Sequence, residues 1–394
     1  MSLSIGIGYS QKDNTAQATQ EAFQTAKNTL QSLQEDLVIV LSTIHYDPKE
    51  VSLVANTMTI SPRVIGSSTA GFIVSSGVIT HGIAVLIVAS ETLQFGLSEI
   101  SSLDYSDPLK AGEELASECL KNLGQSNRNA FLLFADGLYD KNNFLLQGIQ
   151  NIVGNVFPII GAGSCDDFSF KKTYHYYQDR VLHNSSVGLV LGGGISVAVG
   201  SRHGWRPLGK PRTVTSVKGN IIQTIDEKNA FQMYYDYFQE ATEQFRAAPF
   251  SKMSILYPLG ISIDNGSDYL LRNIIRVQDD GSLVCQGDVP AGSEIRIMIR
   301  DKEASQQAAT AAAEEAKQNL FGKIAKLIIV FESIARLKLL GRSINDELES
   351  IKKTFGPYVP IFGMFSNGEI CPTHSNTLTK PLIQNESIVI QAIA

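Results

Sequence analysis

SPRVIGSSTAGFI (61–73), NVFPIIGAGSCDDF (155–168) and YVPIFGMFSNGEI (358–370) are three versions of one segment. Each carries a proline, one or two β-branched or aromatic residues, a glycine and a small polar loop. Aligned on Gly66, Gly161 and Gly363, the match spreads outward. An apolar strand precedes each copy: DLVIVLS (36–42), NAFLLFAD (129–136) and AKLIIVFES (325–333). A helix connects that strand to the glycine loop, and an amphipathic helix comes before the strand. Earlier still lie the strand-like runs LSIGIGYS (3–10), LQFGLSEI (93–100) and SEIRIMIR (293–300). The repeat therefore reads strand–helix–strand–helix–strand, then a polar loop and alternating hairpin strands. A period this long predicts three copies of an α/β layer unit with mixed sheets, most strands parallel, and three related loops that converge.

The bulk numbers fit an ordinary globule. The chain has 394 residues, 43% hydrophobic and 18% charged, with a formal net charge of −6. This excludes disorder, and without a Lys/Arg stripe it gives no electrostatic reason to expect nucleic acid. Cys119, Cys165, Cys285 and Cys371 have no zinc or redox spacing, so reduced thiols are expected. No apolar run approaches the about 18 residues of a membrane span. The start, MSLSIGIGYSQKD, carries no basic segment or cleavage site, so a cytoplasmic location is the expectation.

Local signals place the elements. Residues 4–9 alternate as a strand, and 15–33 carry helical apolar spacing. Asp47 and Pro48 open one helix with Glu50 completing a capping-box-like arrangement, and Asp107 and Pro108 open another. Between 201 and 292 the pattern breaks into Gly- and Pro-punctuated short strands with one helix, read as an insertion or the entry to a second domain. The third unit resumes at Ser293 with the Ala-rich helix SQQAATAAAEEAKQNLFGKIA, where Leu320, Phe321 and Ile324 are expected to supply the packing face.

These segments together resemble the FIST family, a bacterial sensory domain with N- and C-terminal halves. The carriers are DLVIVLST, VIGSSTAGFI, LFADGL with PIIGAGSCDD, HGWRPLGKPRTVTSVKGNIIQTIDEKNAFQMYYDYF, VPAGSEIRIMIRD and VPIFGMFSNGEI, in order over nearly the whole chain. The resemblance implies a FIST N-like domain over 1–205, holding two units, and a FIST C-like domain over 206–394, holding the insertion and the third. It implies a sensory module that binds a small, amino acid-like ligand and signals through a partner protein. Some relatives bind haem, sense nitric oxide and act on a separate histidine kinase. No F-box, kinase, cyclase, methyl-acceptor or DNA-binding segment is recognisable. One stretch departs from the family: VFESIARLKLLGR has Glu332 and bulky residues where a small cysteine-containing turn often stands, although Gly341 and Arg342 remain.

Strand ends are where open α/β sheets bind ligands. Gly66, Gly161 and Gly363 let the backbone approach a ligand closely, and Gly163 lies in the same loop as Gly161. Ser67, Ser68, Thr69 and Ser164 offer donors for a carboxylate or phosphate. Asp166, Asp167, Asn367 and Glu369 offer acceptors for an ammonium. The plainer reading is that the glycines serve tight turns and the polar residues cap them. Gly161–Gly163 alone does not argue a nucleotide, since no helix start follows. Asp136 ends a buried strand and reads as a functional carboxylate or an Asx-turn, with Glu332 taken as its equivalent. Arg342 suits a ligand carboxylate or Glu347. The six histidines form no metal-ligand spacing. Haem needs one axial imidazole, for which His183 and His203 are the candidates.

Two classes of function follow. The first is a non-catalytic sensor. The second is a pseudo-threefold amidohydrolase using loop serines (Ser67 or Ser68, Ser164, Ser366), as ring-opening amidohydrolases combine three related units. Such chemistry needs a base beside each serine, and no lysine recurs at matching places, while His374 stands alone near the third. A scaffold that binds only protein is a third reading.

Overall fold

The runs that read as continuously apolar are strands buried on both faces: Leu37–Thr43, Arg128–Ala135 and Leu327–Ser333. In a computed structural model describing residues 3–32, 34–61, 63–103, 107–242, 252–263, 266–373 and 380–394, each strand sends alternate side chains to opposite sides. Ile39 and Leu41, Leu132 and Phe134, and Ile329 and Phe331 enter one shared core. The Phe134 and Phe331 rings meet there edge-on at 6.2 Å. The intervening residues Val40, Leu133 and Val330 face helices instead, in separate outer clusters. At roughly 1.5–3 kcal/mol per buried aliphatic or aromatic side chain, this common core ties the three units together.

The helices begin where their caps predict. Asp47 Oδ1 accepts from Lys49 N at 2.9 Å with Pro48 in the first turn. Asp107 does the same for Leu109 N at 3.0 Å ahead of Pro108. Asp301 caps Lys302–Gln318 through Ala304 N at 2.9 Å.

Every unit builds the same sheet. In the first, Ser4–Ser10 pairs antiparallel with Ile83–Ala89, which pairs antiparallel with Leu37–Thr43, which pairs parallel with Val64–Thr69. The second repeats this with Leu93–Ile100, Ser186–Gly193, Arg128–Ala135 and Ile159–Gly163. The third repeats it with Val197–Arg202, Ile388–Ile393, Leu327–Ser333 and Ile361–Ser366. Parallel neighbours are therefore fewer than expected. Three strands of each unit point one way, but the returning fourth strand inserts between two of them and makes those ladders antiparallel.

Hairpins close the units into a ring. That of the first unit, Phe72–Val74 with Gly77–Ile79, joins the third sheet beside Ile361–Ser366. His175–Tyr177 with Arg180–Leu182, from the second, joins the first sheet beside Val64–Thr69. Glu369–Pro372 with Pro381–Gln384, from the third, joins the second sheet beside Ile159–Gly163. Each hairpin covers what would otherwise be an exposed sheet edge.

Two expectations are corrected. The first strand of the third unit is Val197–Arg202, not the run ending at Arg300. Its Gly200 lies so close to the following helix that a Cβ would meet Ala312 O at 2.1 Å, as Gly8 does with Ala22 O and Gly96 with Cys119 O. Glu294–Arg300 belongs to the inserted sheet, where it pairs with Trp205–Lys218 and Leu259–Ile263. The insertion thus separates the first strand of the unit from its helix, and it has a core of its own around Val214, Tyr234 and Ile295. The Ala-rich helix packs through Ala309, Ala312, Ala313 and Ala316, with Leu320 buried at its end. Phe321 and Ile324 are 90% and 81% exposed, because a glycine-sized approach leaves no room for bulk on the sheet side.

Candidate functional site

The three glycine loops meet where the central strands end. Thr69 Oγ1 donates to Phe365 O at 2.7 Å, and Cys165 Sγ donates to the same carbonyl at 2.9 Å. Ala70 N donates to Cys165 Sγ at 3.3 Å. Asn367 N donates to Gly163 O at 3.0 Å, and Gly163 N to Gly368 O at 2.8 Å. Ser67, Ser68, Thr69, Ser164, Ser366 and Glu369 are fully buried at this junction. Convergence is real, and the contacts between loops are direct. The close approach that Gly66, Gly161 and Gly363 permit is to the neighbouring strand: a Cβ there would meet Val40 O, Leu133 O and Val330 O at 1.8, 1.9 and 2.4 Å.

Several proposed donors and acceptors are occupied within the fold. Ser68 N donates to Tyr174 O at 2.9 Å, and Ser68 Oγ accepts from Tyr174 N at 3.2 Å. Ser164 Oγ accepts from Gly137 N at 3.4 Å. Asp166 collects Ser169 Oγ at 2.6 Å and the backbone N–H groups of Phe170, Lys171 and Lys172, so it organises its own loop. Asp136 accepts from Leu138 N at 3.0 Å and Thr173 Oγ1 at 2.7 Å, the Asx-turn arrangement. Asn367 and Gly163 do border a recess, together with Gly368 and with Gln286 and Gly287 of the insertion.

Register corrects two pairings. Val40, Leu133 and Val330 oppose the three glycines, so two residues on, Glu332 matches Ser42 and Ala135, and Asp136 matches Thr43 and Ser333. A one-residue offset places a side chain on the other face. Glu347 does not pair with Arg342, which lies exposed in a short 3-10 turn. Its partner is Arg336, a fully buried guanidinium that also reaches Glu332 Oε1 at 3.2 Å. Arg336 further donates to the carbonyls of Ser305, at 2.9 Å, and His203. Burial first, then Glu347 beside it, pushes the Glu332 carboxyl well above its ordinary range. Glu332 lies in the strand and Arg336 in the helix that follows it, so their four-residue spacing is not the helical-face signal of an ion pair.

The ring of hairpins also defines equivalent inward positions. Phe72, His175 and Glu369 each start a hairpin and pair with the residue after a loop glycine or its equivalent. His175 Nε2 faces Ala135 O at 3.1 Å and so carries the proton, which leaves Nδ1 to accept from Ser185 Oγ at 3.0 Å. Burial holds its pKa down to about 4. Glu369 takes Ser366 Oγ at 2.8 Å, Ser387 Oγ at 2.8 Å and Ser387 N at 3.2 Å. Burial outweighs those bonds and raises it to about 7. His175 was missed from sequence because its hairpin reads as plain alternating strands.

Catalytic and cofactor readings meet this geometry differently. Among the described residues, no lysine Nζ or histidine nitrogen bonds a hydroxyl of Ser67, Ser68, Ser164 or Ser366. The Ser185–His175 pair is sealed from solvent. His374 lies outside the described residues. His203 uses both ring nitrogens, Nε2 on Asp268 at 3.2 Å and Nδ1 accepting from Trp205 N at 2.9 Å. His183 is exposed, with Nδ1 at 3.1 Å from Thr173 O. Neither fits an axial ligand in an apolar slot, so no step runs through haem. The four cysteines are free and buried. Among the described residues no helix is long and apolar enough to cross a membrane.

Comparison with known proteins supplies the family. The model of the FIST N domain matches residues 36–228, and that of the FIST C domain matches 230–372. An uncharacterised protein of Methanocaldococcus jannaschii is 28% identical over 176 residues, covering 42% of this chain and 34% of that protein. This chain therefore matches about a third of that relative. Among solved structures, a cyanuric acid hydrolase from A. caulinodans aligns over 100% of this chain and 99% of its own at 7% identity, with a TM-score of 0.37. Phosphoribosylformylglycinamidine synthase II from Thermotoga maritima aligns over 99% and 72% at 8% identity, with a TM-score of 0.22. Neither likeness is close enough to bear on chemistry.

Proposed function

The chain belongs to the FIST family, whose domains are sensory domains of signalling proteins rather than a known enzyme family, and from that premise we infer a non-catalytic sensor that binds a small polar ligand where the glycine loops meet the insertion. The observation that carries this is a recess where the glycine loops meet the insertion, bordered by Gly163, Asn367 and Gly368 on one side and Gln286 and Gly287 on the other. A concave site with a few convergent polar groups is the ordinary place for a small ligand. The loop serines, by contrast, lack the base that nucleophilic chemistry requires. The ligand class is an amino acid-like metabolite, taken up at the recess that Gly163, Asn367 and Gly368 share with Gln286 and Gly287. The output runs through a partner protein such as a histidine kinase, and the location is cytoplasmic.

Thermal-shift screening with amino acids and related metabolites is the direct test. At least one should stabilise the protein, and Asn367→Ala should weaken its binding at least tenfold, about 1.4 kcal/mol. Steady turnover of cyclic amides or esters that vanished with Ser68→Ala or Ser164→Ala would overturn the sensory reading in favour of a hydrolase.

A further inference from the structure

The turn Asn385–Glu386–Ser387 joins the third hairpin to the last strand. Its counterparts in the other units reach the surface, with Asn184 exposed and His81 half-buried. In the third unit the insertion covers the turn. Arg272 donates to Ile383 O at 2.9 Å, and Asn273 N donates to Asn385 Oδ1 at 3.0 Å. Glu386 is thereby left 1% exposed, and among the described residues neither of its carboxylate oxygens has a hydrogen-bond partner of good geometry, although the Asn273 side chain lies close enough to act on it. Asn273, 5% exposed, has an unpartnered Oδ1 as well. Glu386 also holds a left-handed backbone, φ 58°, a conformation that side chains other than Gly, Asn and Asp adopt only under strain.

Once Glu386 is ionised, the unmet demand here has one sign. The donors nearby each already make a bond within the fold: Asn273 Nδ2 to Gln286 Oε1 at 3.4 Å, Gln286 Nε2 to Asn367 O at 3.2 Å, Asn385 Nδ2 to Gln384 O at 2.8 Å, and Ser387 to Glu369. The ionised carboxylate and Asn273 Oδ1 then present three acceptor atoms. Arg336, the nearby cation, already carries Glu332 and Glu347. Recesses open on both sides: Asn385 and Ser387 border one with His203, and Gln286 borders the other with Asn367.

We propose that Glu386 and Asn273, beneath the insertion, form a receptor for a primary ammonium group. The three N–H donors of such a group match Glu386 Oε1, Glu386 Oε2 and Asn273 Oδ1, and its charge neutralises a buried carboxylate. Glu369, on the same hairpin, adds negative potential. Without a ligand, burial and Glu369 keep the Glu386 carboxyl protonated well above its ordinary range, against the opposing pull of Asn273 and Arg336. Ammonium binding therefore expels a proton and strengthens as pH rises. This site deepens the sensory reading by assigning the cationic end of the ligand, and it rests on that reading only for the ligand's source.

The experiment is calorimetric titration and thermal shift of the full chain with ammonium, methylammonium and tetramethylammonium chlorides and with a panel of amino acids, at matched ionic strength. Methylammonium should bind and tetramethylammonium, which has no N–H, should not. Heats measured in buffers of different ionisation enthalpy should report proton release. Glu386→Gln, an isostere without the charge, should weaken methylammonium binding at least tenfold while keeping a single unfolding transition. Binding by ammonium or methylammonium but by no amino acid would support the site with a simple amine as its source. Equal responses to methylammonium and tetramethylammonium, or wild-type binding without proton release, would overturn the site whatever the variant does. Amino-acid binding that survives Glu386→Gln would also overturn it, while leaving the sensory reading intact.

Discussion

His175 and Glu369 occupy equivalent places in successive hairpins, yet their linkage to folding runs in opposite senses. Glu369 titrates near 7 when folded against an ordinary 4.5, so between those values the folded state holds the proton that the unfolded chain has lost. Stability falls as pH rises through that window, by on the order of 3 kcal/mol from this residue, and is flat above it. His175 is held near 4 against 6.5, so the unfolded chain takes the proton first as pH falls. Its contribution is intact above 6.5 and is lost towards 4, again on the order of 3 kcal/mol. Urea unfolding of Glu369→Gln should therefore show a smaller loss than wild type between pH 5 and about 7. His175→Asn should show a smaller loss than wild type below about pH 6.5. Parallel pH profiles for wild type and either variant would contradict the assignment.

Strands and hairpins carry tighter tolerances than the loop chemistry alone suggests. Gly161 stands where a Cβ would lie 1.9 Å from Leu133 O, inside a parallel ladder that cannot move without disturbing both neighbours. Gly161→Ala should cost about 3 kcal/mol or more, read as a drop in the urea midpoint. The proline–glycine signature was legible as a recurring strand end, but its partner was not. Nothing in VIGSST says that its other neighbour is a hairpin more than a hundred residues away. The docking of the insertion depends on Arg272, which donates to Ile383 O, Leu271 O and Asp288 O and makes no ion pair among the described residues. Replacing it by Leu orphans buried carbonyls at about 1–3 kcal/mol each. Limited proteolysis should then cut within the insertion faster than in the wild type, while the threefold body stays resistant.

At the scale of the molecule, each unit lends a hairpin to one neighbour and borrows from the other, so no unit completes its own sheet. A chain of residues 1–91 would keep its strand–helix–strand pattern, yet its hairpin Phe72–Val74 with Gly77–Ile79 would lack its host strand Ile361–Ser366, and Val64–Thr69 would lack the strand His175–Tyr177 at its edge. That fragment should remain unfolded or aggregate. The three units of the intact chain should melt together, because the shared core and the ring of hairpins couple them. A separately folded fragment with native-like near-ultraviolet dichroism would contradict this coupling.

What the sequence by itself determined was periodic and local: the three units, their strand and helix order except for the first strand of the third, the caps at Asp47 and Asp107, and the family. These depend on side-chain spacing and on contacts within a few residues, which a linear pattern records. The Ala-rich helix was legible as a helix but not in its packing, since Phe321 looks like core until Gly200 brings the sheet too close. Only the tertiary structure decided the hairpin exchange, the separation of the third unit's first strand from its helix by the insertion, and the identity of the buried charges. Arg336, His175 and Glu386 are ordinary surface residues by composition. Their chemistry comes from which distant segment covers them, and the free energy of burying a charge is a property of that covering.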